Sequence, residues 1–419
     1  MKSLNIIFSV AVLSALSSPA IHAQTGSATS PILVDGDKVQ CPTATFTEIQ
    51  PAIDAASPGD TILVCRGRYH EQLTIDKSIT LEANNEVILT PTGMTANATG
   101  LTQSDQIAAA VLVKNATSVT ITGFRFDGSE NEIKECGPRL IGILFQNASG
   151  QLEHNAVRHF RLPSAPGCQS GNAIEVETSS GAQSTVTILN NSVDDYQKNG
   201  ITANEPGSTV TITGNVVVGL GPTTGAAQNG IQIGFGAAGT ISNNNVSNHV
   251  WAPCVSLTEC TTDATGVLIF QSDNVKVNGN TIGTNQIGVF TNGNNTGVVS
   301  NNISNSLVLD GVLLAGNNGQ AQNNNITQSA EAAVDIAGNG NTVSFNELLA
   351  ADFGVLLEPG ASGNNHFGNQ FFAILKQISN AETPAPAAMQ ALTNSVTAES
   401  VVAPGTTKAT AAQRVSPSR

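Results

Sequence analysis

Short stretches in which apolar and polar residues alternate recur along most of the chain. Typical examples are "VTILNNSV", "VTITGNVV" and "VKVNGNTI", where the alternation leads into Asn, one further residue and then Val or Ile. Alternation over four to eight residues is typical of β-strands with one buried face. The marker asparagines are Asn155, Asn191, Asn215, Asn244, Asn280, Asn301, Asn324, Asn346 and Asn369, and Phe124 takes the same position one repeat earlier. The pattern predicts many short strands joined by tight turns.

The repeat has a period near 22 residues in the second half of the chain. From Asn280 onward the markers are 21, 23, 22 and 23 residues apart, whereas earlier steps reach 36. Three short strands in such a period predict a coil of a parallel β-solenoid, with coils stacked about 4.8 Å apart. Stacked asparagines would then form a ladder in which each amide bonds its neighbours and the turn backbone. The leucine-rich repeat is the alternative solenoid, but its Leu-x-x-Leu-x-Leu pattern is absent.

A second strand in each repeat carries a small residue at one bend. These residues are Gly142, Ala173, Gly200, Gly230, Gly266, Gly288, Gly311, Ala333 and Gly354. We expect the small residue to let the backbone turn tightly without a clash of Cβ.

The stretch "FTEIQPAIDAASPGDTILVCRGRYHEQLTIDKSITLEA", residues 46–83, predicts a short helix followed by the first strands. Its apolar face would comprise Phe46, Ile49, Ala52, Ile53 and Ala56. Thr47 and Gln50 have the spacing of a capping box, and Pro58-Gly59 would end the helix. We expect this helix to cover the first end of the solenoid, which would otherwise expose a strand edge.

With the repeat, this opening resembles the right-handed parallel β-helix superfamily typified by pectate lyases, over roughly residues 40–375. The resemblance implies an all-β fold, a right-handed single-stranded parallel β-helix of about ten coils with a short N-terminal capping helix. It implies fold rather than activity.

The chain divides by composition into four parts. Residues 1–23 are expected to be a signal peptide, because Lys2 precedes an apolar core and small residues that suit cleavage. A membrane anchor is the alternative, but the apolar run is too short to span a bilayer. Residues 24–40 form a lead-in, 41–378 the β-helix domain, and 379–419 a flexible tail rich in Ala, Thr, Pro and Ser. The protein is therefore expected to be secreted or periplasmic, with no membrane span.

Charge and cysteine content agree with export. The net charge of −14 disfavours nucleic acid, which is bound through clustered Lys and Arg. Six cysteines in an exported chain favour disulfides, although six allow 15 pairings. Their positions on the predicted coils favour the pairs Cys41–Cys65, Cys136–Cys168 and Cys254–Cys260. A metal site is the alternative, but the spacing typical of cysteine ligands is absent.

Charged residues concentrate in the early coils, with 15 in residues 125–198 against 9 in residues 199–347. In "NAIEVE" the branched residues point inward, so Glu175 and Glu177 point outward. Equivalent positions on neighbouring coils place further polar groups beside them, namely Gln146, Thr202, Asn204 and Gln232, with Lys198 at the border. This polar strip suits recognition of sugar hydroxyl groups, and its two carboxylates could supply an acid and a base. A solvated sheet face is the alternative interpretation.

A second set of charges follows the ladder asparagines. Register places Asp127, Arg158 and Asp194 on successive coils, with His159 and Asp195 one position further on. Asp194 and Asp195 are candidate catalytic carboxylates, and Arg158 and His159 candidate substrate-binding residues. The alternative is a ladder of alternating charges that neutralise one another.

The motifs of individual superfamily activities are mostly missing. Polygalacturonases carry Gly-His-Gly and Arg-Ile-Lys besides an Asp-Asp pair, and only Asp-Asp occurs here. The motifs of pectin methylesterases and the Asp-Pro-His-Asp of mannuronan epimerases are absent. We expect no cofactor, although Asp194 and Asp195 with Arg158 or Arg161 would offer a calcium site of the pectate-lyase kind.

Two functions follow as hypotheses. The first is an extracytoplasmic β-helix protein that binds a polysaccharide along the early coils and cleaves or modifies it as a lyase or glycoside hydrolase. The second is a non-catalytic structural or adhesive β-helix. A raised pKa in one strip carboxylate would favour the first. Apolar residues filling the same face, at Leu144, Leu268, Phe290, Leu313 and Leu356, would favour the second. The sequence leaves the oligomeric state open.

Overall fold

The computed structural model describes residues 30–101, 104–163, 168–254 and 263–380. Its helical elements in these ranges are the α-helix α1 (Ile49–Ala55) and one 3-10 turn, Gly128–Glu130. All other regular elements there are short strands, as the alternating pattern predicts.

The strands of the first coils are β1 (Ile32–Val34), β2 (Thr61–Tyr69), β3 (Leu73–Ile75), β4 (Thr80–Leu89), β5 (Ala98–Thr99), β6 (Gln106–Lys114), β7 (Val119–Asp127), β8 (Arg139–Gln146), β9 (Gly150–Glu153), β10 (Ala156–Arg158) and β11 (Asn172–Glu177). The middle coils contain β12 (Ser184–Leu189), β13 (Ser192–Asp194), β14 (Asn199–Asn204), β15 (Ser208–Thr213), β16 (Val216–Thr223), β17 (Asn229–Gly234), β18 (Ala238–Ser242), β19 (Asn245–Trp251), β20 (Thr265–Phe270), β21 (Lys276–Asn278) and β22 (Thr281–Asn285). The last coils contain β23 (Ile287–Thr291), β24 (Gly297–Val299), β25 (Asn302–Ser306), β26 (Val312–Leu314), β27 (Gln320–Gln322), β28 (Asn325–Ser329), β29 (Ala332–Ile336), β30 (Thr342–Ser344), β31 (Glu347–Leu357), β32 (Asn365–Phe367) and β33 (Gln370–Asn380).

Each strand of the middle coils pairs with the strands three places before and after it. Thus β12 pairs with β9 and β15, β13 with β10 and β16, and β14 with β11 and β17, all in parallel. The short β5 is antiparallel to β6. The strands therefore form three rows, and paired strands lie in the same row. The first row contains β12, the second contains β13 and the third contains β14. The fold is the predicted all-β parallel β-helix, with one long hydrophobic core enclosed by the rows.

The predicted asparagine ladder is confirmed. The backbone N–H and side-chain Nδ2 of Asn155 both donate to Oδ1 of Asn191, at 3.0 and 3.1 Å. The same contacts continue through every marker to Asn369. Phe124 takes the marker position one repeat earlier, as predicted, and its backbone N–H donates to Asn155 Oδ1 at 2.9 Å. Each ladder amide also bonds a buried carbonyl of an earlier coil, as Asn244 Nδ2 does with Ile212 O at 3.0 Å.

A second, exposed amide ladder follows the third row in the last coils. Asn294 Oδ1 accepts from Asn317 N at 3.0 Å, and Asn317 Oδ1 accepts from Asn339 N at 2.9 Å. Ser362 N continues the ladder by donating to Asn339 Oδ1 at 2.8 Å. This ladder was not predicted, although "TNGNN", "AGNNG" and "AGNGN" recur at its period.

The recurring small residues are explained by the spacing of the coils. A Cβ added to Gly200 would lie 2.6 Å from Gly230 O, and one added to Gly288 would lie 2.4 Å from Gly311 O. Neither glycine has a positive φ. The small residue avoids a clash of Cβ, as predicted, but the clash would be with the backbone of the next coil and does not arise from a left-handed turn.

The N-terminal end is covered by α1, whose Ile49, Ala52 and Ile53 are buried. The predicted capping box of Thr47 and Gln50 is wrong, since the N-cap residue Glu48 makes no side-chain cap bond. Instead, the Glu71 carboxylate, which follows β2, accepts from the backbone N–H groups of Ile49 and Gln50 at 2.7 and 2.8 Å. A carboxylate from outside the helix thus accepts the hydrogen bonds of N–H groups at the helix start.

Two predicted disulfides, Cys41–Cys65 and Cys136–Cys168, are formed. Cys254 is also disulfide-bonded, and its predicted partner Cys260 lies outside the described residues.

Candidate functional site

The polar strip lies on third-row strands in the predicted register. Glu175 on β11 is aligned with Leu144 on β8 and with Thr202 on β14. Glu177 is aligned with Gln146, and Thr202 with Gln232 on β17. Two carboxyl groups and several neutral polar groups therefore share one face of four successive strands.

Glu175 is held by Arg139, which is not among the predicted site residues. Arg139 NH1 donates to both carboxylate oxygens of Glu175, at 2.8 and 2.7 Å. Arg139 Nε also donates to Asp105 Oδ2 at 2.7 Å. Burial would lower the pKa of Arg139, but the charges of Glu175 and Asp105 raise it above its ordinary value. The guanidinium therefore neutralises the buried Glu175 carboxylate.

Glu177 lies in a different electrostatic environment, although it is only two residues away on β11. Gln146 Nε2 donates to Glu177 Oε1 at 2.7 Å, and Arg139 NH2 is 4.0 Å from Glu177 Oε2. Burial and the neighbouring charge of Glu175 raise the pKa of Glu177 to about 7, despite the opposing effects of Gln146 and Arg139. Near neutral pH, Glu177 is thus poised to hold or release a proton.

An amide row borders the strip and was also missed from sequence. Asn172 Nδ2 donates to Glu175 Oε2 at 2.7 Å, and Asn199 N donates to Asn172 Oδ1 at 3.2 Å. Asn229 Nδ2 donates to Asn199 Oδ1 at 3.0 Å, and Thr265 Oγ1 donates to Asn229 Oδ1 at 2.9 Å. The signal was visible in "NAI", "NGI", "NGI" and "TGV", where the polar residue always precedes the small one. These bonds fix the amides beside the carboxylates.

The remaining strip residues differ in how many hydrogen bonds their polar groups make. Gln232 Nε2 donates to Asn204 Oδ1 at 3.0 Å. The Thr202 hydroxyl is buried and has no hydrogen-bond partner among the described residues. Lys198 Nζ donates to Ala227 O at 2.6 Å, and burial lowers the pKa of this lysine to about 8. The strip thus contains a buried hydroxyl with unused hydrogen-bonding capacity.

The second set of charges forms the predicted ladder on the second row. Arg158 is aligned with both Asp127 and Asp194, and Arg158 NH2 is 3.4 Å from Asp194 Oδ1. His159 Nδ1 lies 2.8 Å from Asp127 Oδ1, and His159 Nε2 lies 3.4 Å from Asp195 Oδ2. Burial would raise the pKa of Asp127, but hydrogen bonds from Ser129 and His159 lower it overall.

Asp195 is better partnered than the sequence suggested, because Arg161 Nε lies 2.8 Å from Asp195 Oδ1. The charges of this cluster pair with one another. This pairing fits a ladder of charges that neutralise one another better than it fits an unpaired, catalytic Asp-Asp motif.

Along the third row, apolar residues occupy the positions on both sides of the polar strip. Leu268, aligned with Gln232, begins a buried cluster with Phe290 and Leu313. On the other side, Leu144 belongs to a separate apolar cluster with Ile141. Leu356 is buried further along the row, next to Asp335. The polar section is therefore bounded at both ends.

Shallow, open depressions lie away from the strip. A pocket of about 440 Å³ lies at the bend of the asparagine ladder, where Glu86, Arg125, His154 and Asn190 contribute to its lining. No group of three His, Cys, Asp or Glu suited to a metal ion occurs within the described ranges. No helix in those ranges is long and apolar enough to cross a membrane.

Comparisons with known proteins identify the fold. A family model described as "Right handed beta helix region" matches residues 172–348. No curated protein sequence matches the chain. The family match confirms the right-handed parallel β-helix that the sequence predicts.

Among solved structures, a Dettilon tailspike protein is similar at 14% identity and a TM-score of 0.53, over 75% of this chain and 62% of that chain. This chain therefore spans less than two thirds of that protein. A mutant of the periplasmic alginate epimerase AlgG is similar at 12% identity and a TM-score of 0.50, over 79% and 83%. A lacto-N-biosidase from Eubacterium ramulus is similar at 11% identity and a TM-score of 0.50, over 83% and 67%. At these identities the similarity shows the fold alone.

Proposed function

We propose that this protein is a secreted or periplasmic β-helix protein that binds a polysaccharide along the polar strip and hydrolyses a glycosidic bond there. The observation that carries the proposal is the pair Glu175 and Glu177, two carboxyl groups on one strand in unlike electrostatic surroundings. Pairs of titratable groups driven apart by their environments are typical of acid and base assignments.

The spacing of the pair suits glycoside hydrolysis. Alternate residues of a strand are about 7 Å apart, since each residue advances about 3.4 Å. In inverting glycosidases the two carboxyl groups are about 6.5–9.5 Å apart, which leaves room for the attacking water. Glu177, with its pKa near 7, would protonate the leaving oxygen. Glu175, paired with Arg139, would act as the base that activates water.

The neighbouring groups would bind sugar hydroxyls. Thr202, Asn204, Gln146 and Gln232 offer neutral donors and acceptors on the same face, and Lys198 borders it. Arg139, the arginine beside the strip, is already paired with carboxylates, which favours a neutral chain over a polyuronate. The paired Asp194 and Asp195 are weaker catalytic candidates, and Arg158 and His159 would contact a chain extending towards the second row.

Other observations support carbohydrate as the partner and export as the setting. The names of two similar structures describe enzymes of alginate and of lacto-N-biose. The Asp-Pro-His-Asp motif of mannuronan epimerases is absent, so we do not propose epimerisation. Disulfides favour an oxidising compartment, in line with the predicted signal peptide. We propose no bound cofactor.

A structural or adhesive role is the second candidate. It is favoured by the buried row of Leu268, Phe290 and Leu313, which places apolar side chains where the strip places polar ones.

The test is a glycan-binding array combined with degradation assays on neutral and anionic polysaccharides, with and without calcium. We expect binding and product release from a neutral glycan. Glu177→Gln and Glu175→Gln should each lower turnover at least about 100-fold, as expected for loss of an acid or base. Glu347→Gln, at an exposed position of β31, is the matched control and should keep full activity. Binding without turnover would support the second candidate, and failure to bind any glycan would exclude the first.

A further inference from the structure

The two carboxyl groups of the strip are buried, although they project from the outer face of β11. Glu175 is 2% exposed and Glu177 is 3% exposed. Hydrolysis of a glycosidic bond requires both groups to contact the sugar, so the strip is closed in this structure. A glycan therefore enters only when a covering segment moves.

The third-row strands are bent, and their outer face is concave at the strip. Asn172 and Glu175 lie three residues apart on β11, yet Asn172 Nδ2 donates to Glu175 Oε2 at 2.7 Å. In a straight strand, residues three apart project to opposite faces. The residues aligned with them on β8, Ile141 and Leu144, likewise share one apolar cluster. Each strand thus has two arms that face one another across a cleft.

A short segment before β6 crosses this cleft. Its described residues, 97–101 and 104–105, are called the strap. The Asn97 side chain anchors it by donating to Ala109 O and accepting from Ala109 N, both at 2.9 Å. The next residue, Ala98, packs on the apolar cluster at the bend. The strap is therefore fixed to β6 at its first residues and lies against the concave face.

Two side chains of β8, one from each arm, bind the strap. On the first arm, Arg139 Nε donates to Asp105 Oδ2 at 2.7 Å. On the second arm, Gln146 Nε2 donates to the backbone oxygen of Thr99 at 2.8 Å. We call these two bonds the latches. Because they come from opposite arms, the strap bridges the cleft.

Each latch shares its donor side chain with one carboxyl group of the strip. Arg139 NH1 donates to both carboxylate oxygens of Glu175, at 2.8 and 2.7 Å. Gln146 Nε2 donates to Glu177 Oε1 at 2.7 Å. The side chains that hold the strap closed are thus the ones that orient the candidate acid and base.

The closed strap is held by few contacts. Asp105 Oδ1 is buried and has no hydrogen-bond partner among the described residues, and a buried acceptor left unpaired is costly. The ladder between β5 and β6 comprises two residue pairs, and Thr99 and Gln106 of the second pair are exposed. Segments with few buried contacts open at low free energy. The strap therefore opens more easily than the coils beneath it.

We propose that the strap is a cover for the strip, which closes the cleft in the free protein and moves off it when a glycan enters. The proposal rests on the proposed function in naming a glycan as the ligand. When the latches break, Arg139 and Gln146 release Asp105 and Thr99 but keep their bonds to the two carboxyl groups. The cleft thus opens while the acid and base stay in position.

Hydrogen exchange of the full chain, followed by mass spectrometry, tests the strap without a ligand. Asp105→Ala removes the first latch and should speed exchange of the Gly100 and Ala109 amides at least about tenfold, with β15 unchanged. Asp76→Ala, at an exposed position that follows β3, is the matched control. If these two amides exchange as slowly in Asp105→Ala as in wild type, the strap is not latched and the proposal is wrong.

A disulfide that locks the strap provides the second test. Ala98 and Ile107 are partners in the antiparallel ladder, at a spacing that suits a disulfide. The double variant Ala98→Cys, Ile107→Cys should slow exchange of the Gly100 amide at least about tenfold relative to the single variant Ala98→Cys. On a glycan array, the locked variant should lose binding that the single variant keeps.

The two tests separate the strap from the function of the strip. Equal glycan binding by the locked and single variants would overturn the proposal, because the cleft would then admit a glycan with the strap closed. If neither variant nor wild type binds any glycan, the proposed function fails. The exchange rates of Asp105→Ala and of the locked variant then decide on the strap alone.

Discussion

Arg139 on β8 binds both oxygens of Glu175 on β11 through a single guanidinium nitrogen, at 2.8 and 2.7 Å. The same side chain binds Asp105 Oδ2. The Arg139 guanidinium therefore pairs with carboxylates from two other segments of the chain. The charge state of the candidate site therefore depends on a residue outside the strip.

Removal of this arginine should destabilise the fold. In Arg139→Met, Glu175 would remain buried without its counter-ion, and loss of one partner of a buried pair costs about 3–5 kcal/mol. Urea unfolding at pH 7 measures the change in the free energy of unfolding. Arg66→Met is the control, since its ion pair with Glu86 is exposed and should contribute less than about 1 kcal/mol. Equal effects of the two substitutions would contradict the role assigned to Arg139.

Glu177 should make stability fall as pH rises. Its folded pKa of about 7 exceeds the ordinary value of 4.5, so the folded state binds the proton more tightly than the unfolded state does. Stability is then lost between about pH 4.5 and 7, at a cost on the order of 3 kcal/mol, because one pKa unit corresponds to about 1.4 kcal/mol. Glu177→Gln removes this loss and should gain stability relative to wild type between pH 4 and pH 8. Parallel pH profiles of the two proteins would refute the raised pKa.

The buried asparagine ladder should be far more sensitive than the exposed one. Asn244→Ala breaks buried bonds to Ile212 O and along the ladder, which should cost about 2–4 kcal/mol of unfolding free energy. Asn317→Ala removes solvent-exposed bonds and should cost less than about 1 kcal/mol. Thermal and urea unfolding compare the variants, and a reversed order would mean that the ladder does not carry the stability assigned to it.

The disulfide between Cys136 and Cys168 should stabilise the coils that bear the strip. It closes a segment of 32 residues, and removal of a bridge of this kind typically costs about 2–4 kcal/mol. The double variant Cys136→Ser, Cys168→Ser should therefore unfold at a lower urea concentration than wild type. An unchanged midpoint would show that the surrounding loops are held by other contacts.

Two glycines in neighbouring coils should respond oppositely to alanine. Gly288→Ala would place Cβ 2.4 Å from Gly311 O and should cost about 1–3 kcal/mol through forced backbone shifts. At Gly297 the nearest atom is Val299 Cγ2 at 3.8 Å, so alanine fits and should be neutral or slightly stabilising. If both variants had wild-type stability, coil spacing could not explain the conserved size of the bend residue along the repeat.

Much of the architecture could be predicted because the repeat encodes contacts between equivalent positions. Once the marker asparagines are aligned, the partners of Glu175 and Arg158 follow by counting along the strands. Local alternation then determines which side chains point outward. The asparagine ladder, the strand register and the Cys136–Cys168 disulfide all follow from that alignment.

The contacts that were missed involve side chains that reach across segments of unequal length. Arg139 follows a long loop, so its reach to Glu175 and Asp105 has no counterpart in neighbouring repeats. Glu71 caps α1 from another element, and this tertiary contact takes precedence over the local capping box. Such contacts depend on loop paths, for which a repeat pattern gives no constraint.

The unbroken asparagine ladder also has an evolutionary consequence. It passes without interruption through steps of 36 residues and through steps of 21. Because the amides set the alignment of each coil on the next, insertions and deletions between them leave the strands where they were. The loops beside the polar strip can therefore diverge in length and chemistry while the scaffold is conserved, so related chains are expected to vary most in the segments that precede the third row.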